Sequence, residues 1–311
     1  MVPETSFHGQ PLSEKGFHEA SGKALKDQKL RKNFKRAMNG LMQKLRVMFP
    51  DSGELETLRN LAGGIRRDAI SRLPDLLEEL ETNCQQNGIQ VHWAQTTEEA
   101  NSIVLNIARK ADAKLAVKGK SMVSEEMELN HFLAENGIEA LESDLGEYII
   151  QVDHELPSHI IMPAIHKNRE EISEVFQKKV APAKKSDTAE EMTETARQVL
   201  RDKFRRAELG ISGVNFAVAE TGTLCLVENE GNGRFCTTMP RVHIAVMGIE
   251  KVVGKLEDLP PLLTVLTRSA TGQPITTYFN MISSPRQEGE KDGPEAVSYT
   301  HLRAHETSVD L

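Results

Sequence analysis

The sequence predicts an α/β fold, a mostly parallel sheet flanked by helices and preceded by a helical segment. Two observations support this class. After Gly88, short apolar runs typical of strands alternate with segments whose apolar residues recur at helical spacing. Before Gly88, only helical patterns occur. We therefore expect a helical segment over residues 1–87, an α/β domain over 88–285 and the start of a linker over 286–295.

The elements follow from local signals. Helices are predicted at 14–48 and 54–87, with Pro50 ending the first and Pro74 interrupting the second. Thr96 and Glu99 form a capping box for a helix to residue 111, and Ser124 caps another that stops at Asn136. Further helices are expected from 187 to Gly210 and at 259–268, with a linker at 178–185. Strands are predicted at 89–94, 114–118, 138–141, 148–152, 159–162 and 275–281.

Residues 214–253 combine strand patterns with many polar side chains. Two strand-like runs flank Gly231-Asn232-Gly233, which we interpret as a hairpin turn. A third apolar run follows Pro240-Arg241. A hairpin alone would not require so many polar groups between core strands, so a ligand site is expected here. The candidate ligand-facing residues are Glu220, Thr221, Gly222, Thr223 and Arg241, with Glu220 the candidate catalytic residue.

A second candidate lies at the end of the strand predicted at 114–118. Lys118, Lys120 and Ser121 follow that strand, and parallel sheets place ligands at the carboxyl ends of their strands. The nucleotide-binding loop pattern would need a glycine where Lys114 stands, so we expect an anion site of another kind. The alternative is a pair of surface lysines. We expect the candidates of the two regions to face each other across the sheet.

His166 and Lys167 are a third candidate for ligand binding, because they follow Pro163 just before a predicted helix. A helix-entry loop with exposed polar groups explains them equally well. The nearby His154 and His159 are spaced wrongly for a zinc helix, and Pro157 would break that helix, so no metal site is expected there.

Charge and composition restrict the class of protein. The net charge of −8 argues against binding of nucleic acid by the whole chain. Residues 23–46 are strongly basic, which indicates a solvated helix face or, alternatively, contact with an anionic partner or a membrane surface. Neither a signal peptide nor a transmembrane run is predicted, so a cytoplasmic location is expected, with peripheral association at the inner face of the membrane as the alternative.

The three cysteines, Cys84, Cys225 and Cys236, are too few and too scattered for a disulfide framework or a cluster of metal ligands. Each lies in an apolar run, Cys225 and Cys236 in runs that look like strands, so core packing is expected. No cofactor is predicted for this chain.

The last stretch differs from the rest of the chain. Residues 296–311 show neither a helical nor a strand period, and the segment SYTHLRAHET at 298–307 resembles a translated sequencing adapter. We therefore expect 296–311 to be a non-native tail and the natural frame to end near Glu295, in a truncated chain.

Four long blocks carry a specific resemblance, at residues 118–130, 142–151, 157–172 and 219–253. Together they resemble the LUD-domain iron–sulfur proteins of lactate utilization, from about residue 20 to Glu295. The resemblance implies a fold related to ribose-5-phosphate isomerase and coenzyme-A transferases. It also implies a downstream ferredoxin-like module with two [4Fe–4S] clusters, whose cysteine motifs this chain lacks.

Three hypotheses on function are open. The first is a subunit of a complex that oxidises L-lactate to pyruvate, in which this part binds a small anion or partner subunits and the downstream clusters transfer electrons. The second is an autonomous transferase or isomerase acting on a phosphorylated or acyl-CoA substrate, with Glu220 as base or nucleophile. The third is a non-catalytic docking scaffold that uses the basic helix.

Overall fold

The structure is a computed structural model that describes residues 14–155, 157–159, 162–181 and 188–302. A short π-helix, Phe176–Val180, directly follows the helix Arg169–Val175. The helices of the described ranges are α1 (Glu14–Lys26), α2 (Gln28–Met48), α3 (Ser52–Ser71), α4 (Leu73–Gln86), α5 (Thr97–Lys110), α6 (Met122–Glu126), α7 (Leu129–Glu135), α8 (Leu145–Asp153), α9 (Arg169–Val175), α10 (Ala189–Arg206), α11 (Asn232–Thr238) and α12 (Leu259–Ala270). The strands are β1 (Gln90–Ala94), β2 (Leu115–Gly119), β3 (Glu139–Glu142), β4 (Leu209–Gly213), β5 (Phe216–Val218), β6 (Thr223–Glu228), β7 (Val242–Gly248), β8 (Val252–Val253), β9 (Tyr278–Ile282) and β10 (Ala296–Leu302).

The main sheet contains six of the described strands, in the order β1-β10-β7-β4-β2-β3, and every neighbouring pair is parallel. Its interior strands β2 and β4 are buried along their whole length. A buried parallel strand needs apolar residues on both faces, which explains its continuous apolar run. One face packs mainly on α5 and α7, and the other mainly on α8 to α11. The predicted class, a parallel sheet with helices on its faces, is confirmed.

The small sheet contains four described strands in the order β8-β5-β6-β9, with β6 antiparallel to both of its neighbours. Helix α4 lies between this sheet and the main sheet and buries Leu76, Leu80 and Cys84. Helices α3 and α12 cover another face of the small sheet. Part of the predicted helical segment therefore belongs to the core.

The segment 148–152 is not a strand, as predicted, but part of α8. The Asp144 carboxylate accepts a hydrogen bond from Gly146 N at 3.2 Å and starts the helix. Tyr148, Ile149 and Ile150 are consecutive buried residues because α8 is packed between the sheet and neighbouring helices. A short apolar run of this kind does not distinguish a buried helix from a buried strand.

The predicted hairpin at Gly231-Asn232-Gly233 is also wrong, since these residues begin α11. Gly231 takes a positive φ of 83°, and the Glu228 carboxylate then accepts hydrogen bonds from Gly233 N and Arg234 N, both at 2.7 Å. A carboxylate at this end satisfies free amides and complements the helix dipole. Cys236 is therefore on a helix and not in a strand.

The prediction of no regular structure beyond residue 295 is wrong for Ala296–Leu302. These residues form β10, which pairs with β1 on one side and β7 on the other. The non-native origin of the segment stays a prediction, and residues 303–311 lie outside the described ranges.

Smaller differences concern boundaries. The first predicted helix divides at Asp27, whose side chain caps α2, and the second divides at Arg72 before Pro74. Gly210 lies within β4 and does not end α10. The strand predicted at 159–162 and the linker at 178–185 fall partly on residues outside the described ranges, namely 160, 161 and 182–185.

Candidate functional site

The carboxyl ends of β2, β3 and β4 meet beside the start of α11. At the end of β2 the chain turns sharply, because Lys120 adopts a positive φ of 60°. Gly213, at the end of β4, allows this turn to approach, since a Cβ there would lie 2.3 Å from Lys120 O. A left-handed non-glycine residue is costly and is typical of functional sites. We call this region the sheet-edge site.

Lys118 is completely enclosed in the sheet-edge site, with 1% of its surface exposed. Its Nζ forms ion pairs with Glu125 and with Glu142, the latter at 2.7 Å, and donates to Ser124 Oγ at 2.9 Å. Burial acts to lower its pKa, but attraction by Glu142 and Glu125 outweighs this, so the net pKa is raised. Lys118 is therefore a charged internal cross-link between β2, β3 and α6.

Lys120 is paired in the same way, with Asp144 and, at 2.7 Å, with Glu230. Burial again opposes the charge, and the carboxylates raise the pKa of Lys120 overall. Together the two lysines face four carboxyl groups. Among the described residues, both lysines are thus already paired with carboxylates. The anion site at Lys118 and Lys120 stays a prediction. Ser121 caps α6 by accepting from Ser124 N at 3.1 Å.

Glu147 adds a carboxyl with unusual protonation. Burial, followed by a hydrogen bond to Asp144 and repulsion from its charge, raises the pKa of Glu147 to about 8. The pKa of Asp144 is lowered, because hydrogen bonds from Glu147 and Lys120 and the Lys120 charge outweigh its burial. The pair shares one proton near neutral pH, as acid–base pairs in enzymes do.

Polar groups from two elements form the floor of the sheet-edge site. Asn232 Nδ2 donates to Ser143 Oγ at 3.2 Å, and Ser143 Oγ lies 3.3 Å from Cys236 Sγ. Asn232 Oδ1 is buried and has no hydrogen-bond partner among the described residues. A Cβ on Gly119 would lie 2.8 Å from Ser143 Oγ, so the floor requires glycine at the end of β2. A ligand that donates a hydrogen bond would satisfy Asn232 Oδ1.

His166 and Lys167 lie in a separate polar cluster between α8 and α9. His166 Nδ1 is 2.6 Å from Ser158 Oγ, and its Nε2 is 2.7 Å from Glu155 Oε2. Lys167 Nζ pairs with Asp153 at 2.6 Å and with Glu155 at 2.9 Å. These contacts hold the segment that leads into α9 against the residues at and after the end of α8.

Glu220 to Thr223 form a corner that packs on α4. Gly222 takes a φ of 63°, and a Cβ there would lie 2.6 Å from the carbonyl carbon of Asn83. Thr221 Oγ1 donates to Thr223 Oγ1 at 2.8 Å, and Glu220 accepts from Leu256 N at 3.2 Å. These interactions account for the polar pattern without a ligand.

Arg241 is at the amino ends of the strands of the main sheet, opposite the carboxyl ends that form the sheet-edge site. It immediately precedes β7, and its guanidinium donates to the carbonyl of Ala111, which precedes β2. Lys118 and Lys120 lie at the other end of β2. Since these strands are parallel, the predicted approach of Arg241 to the lysines across the sheet is wrong.

Sequence reasoning missed Asp144, Glu147, Glu230 and Asn232. Asp144 and Glu147 stand three residues apart before an apolar run, a spacing that indicates a capping pair. That signal was available, and it would have located α8. Their proximity to Lys120 arises only from the pairing of β2 with β3.

The three cysteines do not fit an iron–sulfur cluster. Such a cluster needs thiolates brought together, usually four. Cys84, Cys225 and Cys236 are buried in α4, β6 and α11, as expected of core residues, and burial raises the pKa of each thiol to about 12. Within the described ranges, no group of three or more His, Cys, Asp or Glu side chains is arranged to hold a metal ion. None of the described helices is both long and apolar enough to cross a membrane.

Comparison with known proteins shows the family of the chain. The chain is 44% identical over 285 residues to Lactate utilization protein B of Bacillus pumilus, and 45% identical over 284 residues to that of Bacillus thuringiensis. Each match covers 91% of this chain, which spans 60% of the length of these relatives. A DUF162 family protein from Deinococcus radiodurans is 15% identical, with a TM-score of 0.43, over 74% of this chain and 98% of that one. The model of the LUD domain matches residues 77–299, and the chain therefore belongs to the LUD domain family.

Proposed function

We propose that this chain is the LUD-domain part of a lactate-utilization protein, a subunit of a complex that oxidises L-lactate to pyruvate. The observation that carries the proposal is the 44% identity over 91% of the chain to a protein named Lactate utilization protein B. In this proposal the LUD domain binds a small anion or partner subunits at the inner face of the cell, in the cytoplasm or against the membrane.

Electron transfer in this proposal belongs to two [4Fe–4S] clusters held by the full-length protein. The buried cysteines of this chain do not supply their ligands, so no step of the electron transfer is assigned to its residues. The role of this chain in the proposal is to bind the small anion or the partner subunits.

A chimaera tests the proposal. Residues 20–295 replace the corresponding part of the Bacillus pumilus relative, in a strain that lacks its own copy. Growth on L-lactate as the carbon source is the expected result, at a rate within a few-fold of the parent strain. A chimaera that accumulates as folded protein but gives no growth on L-lactate, while growth on glucose is normal, would contradict the proposal.

A second candidate function is an isomerase or transferase that uses the sheet-edge site. The observation that favours it is the Asp144–Glu147 pair beside Lys120, in which Glu147 holds a proton near neutral pH. A neutral carboxyl and a carboxylate side by side are suited to moving a proton on a substrate. Glu147 then replaces Glu220 as the candidate acid or base, because Glu220 is exposed and accepts a hydrogen bond from a backbone amide of the neighbouring turn.

This alternative is tested without any redox partner. The chain is incubated with ribose 5-phosphate in deuterated buffer, and incorporation of deuterium at C2 is followed by NMR. Incorporation that Glu147→Gln reduces at least 100-fold is the expected result for an isomerase. The same exchange rate in the Glu147→Gln variant, or no exchange by the parent chain, would count against it.

A further inference from the structure

A groove of about 530 Å³ lies between α2 and the chain that enters α9. Its volume is within the range of small-molecule sites. One wall is a single stripe of α2, in which Asn33, Arg36, Gly40 and Lys44 recur at helical spacing. The other wall is formed by residues between 162 and 169. No residue of α2 itself is buried, so this stripe remains accessible.

The charges that line the groove are all positive. Among the described residues of its walls, four are Lys or Arg and none is acidic. Arg36 and Lys44 form no ion pair with a described residue, whereas Lys167 is paired with Asp153 and Glu155. The groove therefore differs from the sheet-edge site, where carboxyl groups outnumber the lysines. Uncompensated cations on a concave surface attract an anion.

Apolar side chains lie beside these cations. Leu41 contributes from α2, and Met162 and Ile165 contribute from the facing segment. Gly40 leaves open space between the walls, because a Cβ at that position would meet no atom within 4 Å. A ligand that fills the groove would thus contact both cations and hydrocarbon.

We propose that this groove binds a small organic anion in which a carboxylate or phosphate group is joined to a short apolar chain. Arg36 and Lys44 hold the anionic group, since charge-assisted hydrogen bonds are the strongest available there. Leu41 and Ile165 contact the apolar chain. The inference deepens the proposed function, on which it rests for the class of ligand, and assigns that ligand to a site other than the sheet edge.

The first experiment is calorimetric titration of the chain with butyl phosphate and with pentanoate, and with inorganic phosphate as the probe that lacks an apolar chain. We expect butyl phosphate or pentanoate to bind at least fivefold more tightly than inorganic phosphate. In the double variant Arg36→Gln/Lys44→Gln, binding should weaken at least tenfold. The control Lys35→Gln/Arg46→Gln removes the same charge from α2 outside the groove and should change binding less than twofold. Equal losses in the two double variants, or no binding of either organic anion to the parent chain, would overturn the proposal.

A steric test is independent of charge. Gly40→Leu places a side chain in the open space of the groove and should weaken binding at least tenfold. Gly64→Leu is the matched control in α3, because a Cβ there also meets no atom within 4 Å and lies outside the groove. Circular dichroism establishes that both variants remain helical. Binding unaffected by Gly40→Leu would refute the assignment of the ligand to this groove.

The outcomes separate this inference from the proposed function. A chimaera that fails to grow on L-lactate, while the chain keeps its groove-dependent binding, removes the lactate role and leaves the groove. Unchanged binding in both groove variants, with a chimaera that grows, removes the groove and leaves the lactate role.

Discussion

At the scale of single residues, backbone conformation explains positions that look chemical in the sequence. The Glu-Thr-Gly-Thr segment at 220–223 has the polar composition of a binding loop. In the structure two of its carbonyls accept hydrogen bonds from the end of α4 and the residue after it. Asn83 Nδ2 donates to Glu220 O at 3.2 Å, and Asn87 Nδ2 donates to Thr221 O at 2.9 Å. Side-chain amides that satisfy carbonyls in this way fix the helix against the corner.

We expect Gly222→Ala to destabilise the protein strongly. The new Cβ would lie 2.6 Å from backbone of α4 at a φ of 63°, so both strain and a clash oppose it. Gly137→Ala is the control, because Gly137 also has a positive φ, 78°, but open space for a Cβ. The control should lose about 1 kcal/mol, and Gly222→Ala about 2 kcal/mol more. Urea denaturation measures both, and equal losses would contradict the role of close packing.

The pKa of Glu147 predicts a dependence of stability on pH. Its ordinary pKa is 4.5 and its value in the folded chain is about 8. Between these values the folded state holds a proton that the unfolded state has released, so this contribution to stability falls as pH rises through about 8. Asp144 acts in the opposite sense, and its lowered pKa contributes stability that is lost as pH falls below 3.8.

We therefore expect the melting temperature of the parent chain to fall, relative to that of Glu147→Gln, as pH rises from 5 to 8. The glutamine side chain is uncharged at every pH, so this variant lacks the pH-dependent contribution of Glu147 to stability. Glu126→Gln, at an exposed position on α6, is the control and should follow the parent curve. Parallel curves for the parent and Glu147→Gln across this range would show that Glu147 is not protonated in the fold.

At the scale of elements, β10 is an interior strand of the main sheet that contains polar residues. It lies between β1 and β7 and is buried on both faces, where apolar side chains are expected. It nevertheless buries Ser298, Thr300 and His301. Thr300 Oγ1 and His301 Nε2 have no hydrogen-bond partner among the described residues. Buried polar atoms without partners reduce stability, and this conflict explains why the sequence showed no strand pattern.

We expect Thr300→Val to raise the free energy of unfolding by about 1 kcal/mol, because it removes an unpartnered buried hydroxyl without changing the volume. Val297→Thr makes the reverse change at a position that is 1% exposed in the same strand. That variant should lose about 1–3 kcal/mol. Denaturation in urea measures both, and a destabilised Thr300→Val variant would indicate that β10 does not occupy this place.

At the scale of the whole molecule, the core is built without the first two helices. No residue of α2 is buried, whereas α3 and α4 bury residues against the small sheet and between the sheets. The nearest anchor is Phe49, which is buried and stacks against the Arg268 guanidinium at 5.4 Å. The basic helix is thus an addition to the surface, available for ligands or partners.

Deletion of residues 1–47 should leave a chain that unfolds cooperatively, with the slope of the urea transition reduced by no more than about a tenth. Near-ultraviolet circular dichroism should retain the signals of packed aromatic residues. The same deletion should abolish binding of butyl phosphate if the groove is the site. A truncated chain with a broad, non-cooperative transition would mean that α1 and α2 belong to the core.

The α/β class and most helices and strands follow from the sequence alone, because they depend on local periodicity and capping. Thr96, Asp51 and Thr188 each cap the helix that follows them. The blocks at 118–130 and 219–253 likewise identified the family. Local patterns failed where a short apolar run fits both a strand and a buried helix, as in α8. They also failed at the start of α11, where the carboxylate of Glu228 at the end of β6 caps a helix at residues that look like a turn.

Only the tertiary structure decided which polar residues meet. The pairing of β2 with β3 brings Lys120 next to Asp144, and the parallel direction of the strands leaves Arg241 at their opposite ends. Tertiary packing also places Arg36 of α2 beside the segment that enters α9, more than a hundred residues away in the sequence. Such contacts depend on long-range pairing and burial, which no local pattern encodes. The sequence thus determined the class of the fold and the family, and the packing determined the sites.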